Sequence, residues 1–180
     1  MNRLTAPVFA LLALLAAAPA AAALKVGTQA PDFRAQASLG GAVTTFSLAE
    51  HLKQGPVVLY FYPAAFTTGC TLEAHAFADA VGQFKDLGAV VLGVSHDDLD
   101  TLGKFSVSEC RSLFAVAADP DQSIMKAYDA ILAARPDRAN RTSYVIAPDG
   151  RILYTFTDLK PDLHVQNTLD ALRKWKAEQP

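Results

Sequence analysis

Three short apolar runs constrain this chain most: residues 57–62, 89–94 and 114–117, with helix-length stretches between them. In the first run, Val57, Val58, Leu59, Tyr60, Phe61 and Tyr62, no strongly polar residue alternates with the apolar ones. A strand with one wet face would alternate, so this pattern predicts a strand buried on both faces of a sheet. Residues 68–87 read as a helix ended by Gly88, with Leu72, Ala76, Ala80 and Phe84 at helical spacing as its apolar stripe. Asp98 or Asp100 caps a helix to about Glu109, and another follows Asp119-Pro120-Asp121 to about Ala130. Residues 141–146 and 151–156 flank the turn Ala147-Pro148-Asp149-Gly150 and read as a hairpin. Pro161-Asp162 opens a last helix carrying Leu163, Val165, Leu169, Leu172 and Trp175. Ahead of the first apolar run, residues 24–33 read as extended with a turn at Ala30-Pro31-Asp32, and residues 42–46 as a short β-like run. Ser47 then caps a helix through Leu52, with Glu50 completing a capping box. Alternating strand–helix units followed by an antiparallel pair predict an α/β fold, a mixed central sheet flanked by helices.

The first 23 residues stand apart from that pattern. Arg3 supplies positive charge, residues 8–15 form a short apolar stretch, and Ala21-Ala22-Ala23 offers a small-residue cleavage site. This is the layout of a secretory signal peptide, and the apolar stretch is too short for the roughly 20 residues of a membrane span. Residues 1–23 are therefore expected to be removed, leaving residues 24–180 as one domain exported to an oxidising compartment, the bacterial periplasm. No cysteine follows the cleavage point to carry a lipid, so no stable membrane association is expected after cleavage. The chain carries 16 Lys and Arg against 18 Asp and Glu, a balance that gives no sign of a nucleic-acid or membrane-surface partner.

Cys70 sits where the first buried strand hands over to a helix, at the end of Pro63-Ala64-Ala65-Phe66-Thr67-Thr68-Gly69-Cys70. Unpaired N–H groups and the dipole at a helix start favour negative charge, which is what a nucleophilic thiolate needs. The plainer readings are a strand-ending Pro63, a helix-capping Thr67, a first-turn acid at Glu73 and a surface arginine at Arg141. A structural disulfide between Cys70 and Cys110 is the default for two cysteines in an exported chain.

Pro63-x-x-x-Thr67-x-x-Cys70 matches the signature of peroxiredoxins. The string from Phe61 through Glu73 resembles their bacterioferritin-comigratory (Q-type) subgroup. The opening Leu24 to Phe33, the strand end Gly93-Val94-Ser95 and the late Arg141-x-Ser143-Tyr144-Val145-Ile146 to Gly150 are similar to the same family in the same order. The resemblance implies a thioredoxin-like fold and a peroxidase that reduces hydrogen peroxide and organic hydroperoxides through a sulfenic acid at Cys70. It needs no metal or other cofactor, is recycled by a dithiol protein of thioredoxin type, and is a monomer or weak dimer. It assigns Arg141 as the cation beside the thiolate and Glu73 as the residue that holds that arginine. The chemistry fits these residue types. A thiolate needs a helix start and a cation, and the leaving oxygen needs preorganised donors. Pro63 stiffens the loop without a competing N–H, and the Thr67 hydroxyl lies one turn before Cys70 to orient peroxide or thiolate. Ala64 and Thr68 replace the lysine and proline often found there in the subgroup, which bears on substrate range or rate.

His75 occupies the position five residues after Cys70 where some Q-type members carry a second cysteine. The resemblance points instead to Cys110, on the helix from about Asp100, as the resolving cysteine; a buried thiol with external resolution is the alternative. A thiol–disulfide oxidoreductase on the same fold should show Cys-x-x-Cys, and here that segment is Thr67-Thr68-Gly69-Cys70. His51, His75, His96 and His164 have no metal-ligand spacing, and Ser95-His96-Asp97-Asp98 reads as a strand-end loop. Asn140-Arg141-Thr142 fits a glycosylation acceptor, but a glycan would crowd Arg141.

Overall fold

The computed structural model describes residues 23–179, so the expected signal segment lies outside the described residues except for Ala23. The chain runs β1 (Arg34–Leu39), β2 (Ala42–Ser47), α1 (Leu48–Leu52), β3 (Val57–Phe61), α2 (Thr68–Asp86), β4 (Val90–Ser95) and α3 (Leu99–Ser108). It continues through β5 (Ala115–Ala118), α4 (Ser123–Ala127), β6 (Thr142–Ile146), β7 (Ile152–Thr157) and α5 (His164–Ala177). The strands form one seven-stranded sheet in the order β2-β1-β5-β4-β3-β6-β7. The β3, β4 and β5 strands are parallel, while β6 runs antiparallel to β3 and pairs with β7 as a hairpin. The mixed sheet expected from the order of elements is thus formed.

All five residues of β3 are buried, because its two faces feed two cores. Val57, Leu59 and Phe61 pack with Leu48, Leu52, Met125 and Tyr128, the layer of α1 and α4. Val58, Tyr60 and Tyr62 pack with Phe77, Phe84, Leu102, Phe105, Leu169 and Leu172, the layer of α2, α3 and α5. Burying such large side chains on each face is worth about 1.5–3 kcal/mol apiece.

Several local expectations are corrected, sharpened or extended. Residues 34–39 are a strand that pairs antiparallel with both β2 and β5, although its polar residues Arg34, Gln36 and Ser38 gave little strand signal. The Ser47 oxygen accepts from Glu50 N–H at 3.5 Å, but the Glu50 carboxylate takes Lys53 Nζ and closes no capping box. Asp98, not Asp100, caps α3 by accepting from Thr101 N–H at 2.7 Å. The helix after Asp119 is a short one that stops at Ala127, and the last helix begins at His164 rather than at Pro161-Asp162. The apolar stripe of α2 holds at Ala80 and Phe84, which are buried, but not at its start: Leu72 is 55 % exposed, whereas Cys70, Glu73, Ala74, Phe77 and Ala78 face inward.

Candidate active site

Thr67 stands at the start of α2 with extended backbone, and no side chain caps the helix. Cys70 therefore lies in the first turn, where backbone N–H groups have no intrahelical partner. Its side chain is only 1 % exposed, so charges near the sulfur act through little intervening water. The guanidinium of Arg141 reaches it from the head of β6: Nη2 donates to Cys70 Sγ at 3.4 Å.

Strand register explains that approach. Phe61, the last residue of β3, pairs with Thr142, the first of β6. The chain leaving β3 toward Cys70 and the residue entering β6 are thereby held at one edge of the sheet. Arg141 is fixed on three sides: Nε donates to Leu159 O at 2.9 Å, Nη1 donates to Glu73 Oε2, and Nη2 faces the sulfur. Glu73, three residues after Cys70, presents its carboxylate on the same helix face. Burial pushes the Glu73 carboxyl up to about 8 against the pull of Arg141. Arg141 is itself held above the usual arginine range, because Glu73 and Cys70 outweigh the cost of its burial.

Gly69 leaves room for this contact. A Cβ there would come 3.1 Å from Arg141 Nη2. The Thr67 hydroxyl is exposed and donates back to Ala64 O at 3.0 Å rather than to Cys70. Pro63 is half-buried directly after Tyr62, whose N–H donates to Val94 O. The loop between them holds Phe66 at φ 61°, a left-handed conformation that costs a side-chain-bearing residue about 1 kcal/mol or more. An edge-to-face contact with Phe105, centroids 5.3 Å apart, anchors it against α3.

Two contributors escaped the sequence reading. Asp97 Oδ2 accepts from Ala65 N–H at 2.7 Å and from Ser95 Oγ at 2.8 Å, tying the Pro63–Thr67 loop to the end of β4. His164 is fully buried beside Glu73. Ser95-His96-Asp97-Asp98 suggests a site by composition, but its reading as a strand-end loop set the first aside, and the lack of metal-ligand spacing drew attention away from the second.

Cys110 lies in the same core cluster as Cys70, and both thiols are free. It sits past the end of α3, where burial, with the neighbouring Glu109 carboxylate, pushes its thiol well above the usual range. Glu109 pairs with His75 at 2.8 Å and Arg111 pairs with Asp79, so both flanking residues are clasped to α2. Arg111 and Ser112 both have left-handed backbone, with φ 51° and 58°. Among the described residues no group of His, Cys, Asp and Glu could hold a metal ion. An apolar cleft of about 240 Å³, lined by Phe46, His51, Lys85 and Phe114, does not include Cys70.

The AhpC/TSA family model matches residues 26–155. The chain is similar to peroxiredoxin Bcp of Escherichia coli (strain K12), 31% identical over 156 residues that cover 84% of this chain and 97% of that one. Among solved structures it is similar to the peroxidoxin BcpB of Mycobacterium tuberculosis, with a TM-score of 0.76, 29% identity, and coverage of 87% of this chain and 99% of that one. It is also similar to a cysteine-to-serine variant of PrxQ from Xylella fastidiosa, with a TM-score of 0.75, 26% identity, and coverage of 84% and 97%.

Proposed function

Because the chain belongs to the AhpC/TSA family and is a thiol peroxidase of the peroxiredoxin class with a thioredoxin-like fold, we propose that Cys70 is its peroxide-reducing thiol. The observation that carries this is the Arg141 guanidinium on Cys70 Sγ at 3.4 Å, in the first turn of an uncapped helix. The thiolate attacks the terminal oxygen of a hydroperoxide. The S–O bond forms as the O–O bond breaks, and the departing oxygen leaves as water or alcohol after taking one proton. Cys70 is then a sulfenic acid. Arg141 stabilises the thiolate and offers N–H groups to the developing charge on the leaving oxygen. Glu73 holds Arg141 in that pose, Pro63 and Thr67 shape the loop, and hydrogen peroxide and organic hydroperoxides are the substrates.

Cys110 resolves the sulfenic acid: its thiolate displaces hydroxide, which leaves as water, and a Cys70–Cys110 disulfide forms. A dithiol protein of thioredoxin type returns both cysteines to thiols. Resolution requires the strained turn at Arg111 and Ser112 to open and the first turn of α2 to unwind, because disulfide geometry is strict and Cys110 is buried. The same burial favours a second reading in which an external thiol resolves Cys70.

Mass spectrometry after one equivalent of hydrogen peroxide decides between them. An intramolecular disulfide in the wild type, with Cys110→Ser stopping at sulfenic acid, is the expected result. Sulfenic acid in both assigns resolution to an external thiol, and a Cys70 thiol inert to peroxide sinks the assignment of Cys70. We further propose export to the periplasm with cleavage after Ala23. Leu24, the next residue, packs against the core with its backbone N–H donating to Tyr144 Oη at 3.1 Å. Recovery of the protein from the periplasm with Leu24 at its N-terminus is the expected result, and a cytoplasmic protein that retains Met1 overturns it.

A further inference from the structure

Glu73 carries a buried oxygen that lacks a hydrogen bond. Oε2 accepts from Arg141, but Oε1 has no hydrogen-bond partner among the described residues and faces His164 Nδ1 at 3.7 Å. Both side chains are fully buried. His164 Nε2 lies 2.9 Å from Asp158 O, and since a carbonyl only accepts, Nε2 carries a hydrogen. In the neutral ring Nδ1 is then a bare lone pair, taking the Ser143 hydroxyl at 2.7 Å. An ionised Glu73 would set two acceptors against each other in the interior with no donor between them, which carries the cost of an unsatisfied buried group.

Charge leads to the same place. Arg141 is one positive charge, and a thiolate at Cys70 is one negative charge. An ionised Glu73 beside a neutral His164 adds a second negative charge, leaving the buried cluster unbalanced just when Cys70 is reactive. One proton on Oε1 or Nδ1 restores neutrality and supplies the missing donor. Ser143 accommodates either placement, since its hydroxyl donates to a bare Nδ1 and accepts from a protonated one.

We propose that Glu73 and His164 hold one proton between them when Cys70 is ionised, which makes His164 a positioning residue for Arg141. With that proton in place, the charge of Arg141 is left to the sulfur and to the departing oxygen. Without it, the Glu73 carboxylate competes for the same guanidinium. Burial pushes the Glu73 carboxyl up to about 8 and pushes the His164 ring down, so the proton rests mainly on the carboxyl side at neutral pH. The groups that face His164 are Glu73 from α2, Arg141 and Ser143 at the head of β6, Asp158 after β7, and the Phe156 ring of β7. Arg141 opposes a charged ring and Asp158 favours it.

The inference rests on the peroxidase reading for its kinetic test but not for its spectroscopic one. The rate of Cys70 with hydrogen peroxide is measured against pH for the wild type and for His164→Gln. The wild-type rate is expected to fall on the alkaline side, where the pair loses its proton. In His164→Gln that limb moves about one pH unit lower, so at a given alkaline pH the variant is roughly tenfold slower, while the acid side agrees within about twofold. A uniform drop at every pH would mean a packing role only and overturn the proposal. Carbon NMR of the Glu73 carboxyl and nitrogen NMR of the imidazole in the unaltered protein supply a second readout. The carboxyl should show the position of the protonated acid at neutral pH and move to that of the ionised acid with the alkaline limb. An ionised carboxyl beside a bare Nδ1 at neutral pH overturns the proposal, even if His164→Gln does not fold. A wild type that consumes no peroxide counts against the peroxidase reading instead, and the two spectra then decide the proton alone.

Discussion

Gly69→Ala should separate activity from stability. A methyl at this position would sit 3.1 Å from Arg141 Nη2, closer than ordinary van der Waals contact, so the guanidinium must retreat by a few tenths of an ångström. It has nowhere cheap to go. Nε is held to Leu159 O at 2.9 Å, Nη1 to Glu73, and the Nη2 contact with Cys70 Sγ at 3.4 Å is the weakest of the three. The sulfur contact is the one that stretches. Charge-assisted hydrogen bonds contribute about 1.5–3 kcal/mol, and losing about 2 kcal/mol of transition-state stabilisation slows the reaction roughly thirtyfold. The helix should benefit from the same change. Gly69 lies inside α2 without left-handed backbone, and alanine there is favoured over glycine by up to about 1 kcal/mol, worth about 3 °C in Tm for a domain of this size. Rapid-mixing kinetics with hydrogen peroxide and a thermal melt test the two halves. A variant that melts no lower than the wild type and reacts roughly thirtyfold more slowly is expected. A folded variant whose rate matches the wild type within twofold would refute the claim that the Arg141 contact is tight and needed.

Removing the Asp97 carboxylate in Asp97→Ala strips the Ala65 N–H of its partner at 2.7 Å, so the loop before Cys70 loosens and the peroxide rate should fall about tenfold, with a loss of about 2 kcal/mol in urea unfolding. Glu73 makes stability depend on pH. Its folded value, about 8, lies above the ordinary 4.5, so the fold binds the proton more tightly than the unfolded chain does. That contribution is fully present below the unfolded value and is lost as pH rises through the folded one. Glu73→Gln keeps a neutral group there, so it should show a flatter stability curve between those two values and gain on the wild type as pH rises, and an unchanged slope in denaturant melts would contradict this. Asp119 accepts from the N–H groups of Ile124 and Met125 at 3.1 and 2.8 Å, doing for α4 what the left-handed Gln122 at its cap cannot. Asp119→Ala should cost about 2 kcal/mol in chemical denaturation, and a loss under about 0.5 kcal/mol would show that water replaces the carboxylate.

How far the sequence speaks depends on whether a residue's surroundings come from its neighbours or from distant chain. The centre of the sheet was legible because β3 has no polar residue to spend on solvent, and a strand buried on both faces needs none. The β1 strand was not, because its inward residues include Ala35 and Ala37, too small to announce a buried face, alternating with Arg34, Gln36 and Ser38. The error in α2 is more instructive. Periodicity favoured the stripe through Leu72, yet Leu72 is exposed and Glu73 is buried, an inversion that hydrophobicity alone would never choose. Cys70 and Glu73 share a face only if the helix is turned so that both point inward to meet Arg141. The contact with Arg141 offsets only part of the cost of burying that carboxyl, and the remainder tightens its hold on a proton. Arg141 lies 68 residues from Glu73, and only its likeness to a known pattern linked the two beforehand. In the structure the link is the β3–β6 ladder, which pairs Phe61 with Thr142. A slip of one residue in that ladder would send the side chains of β6 to the opposite face of the sheet and carry Arg141 away from the sulfur. The apolar run that makes β3 recognisable is therefore also what holds the register, and through the register it places the cation that Cys70 needs.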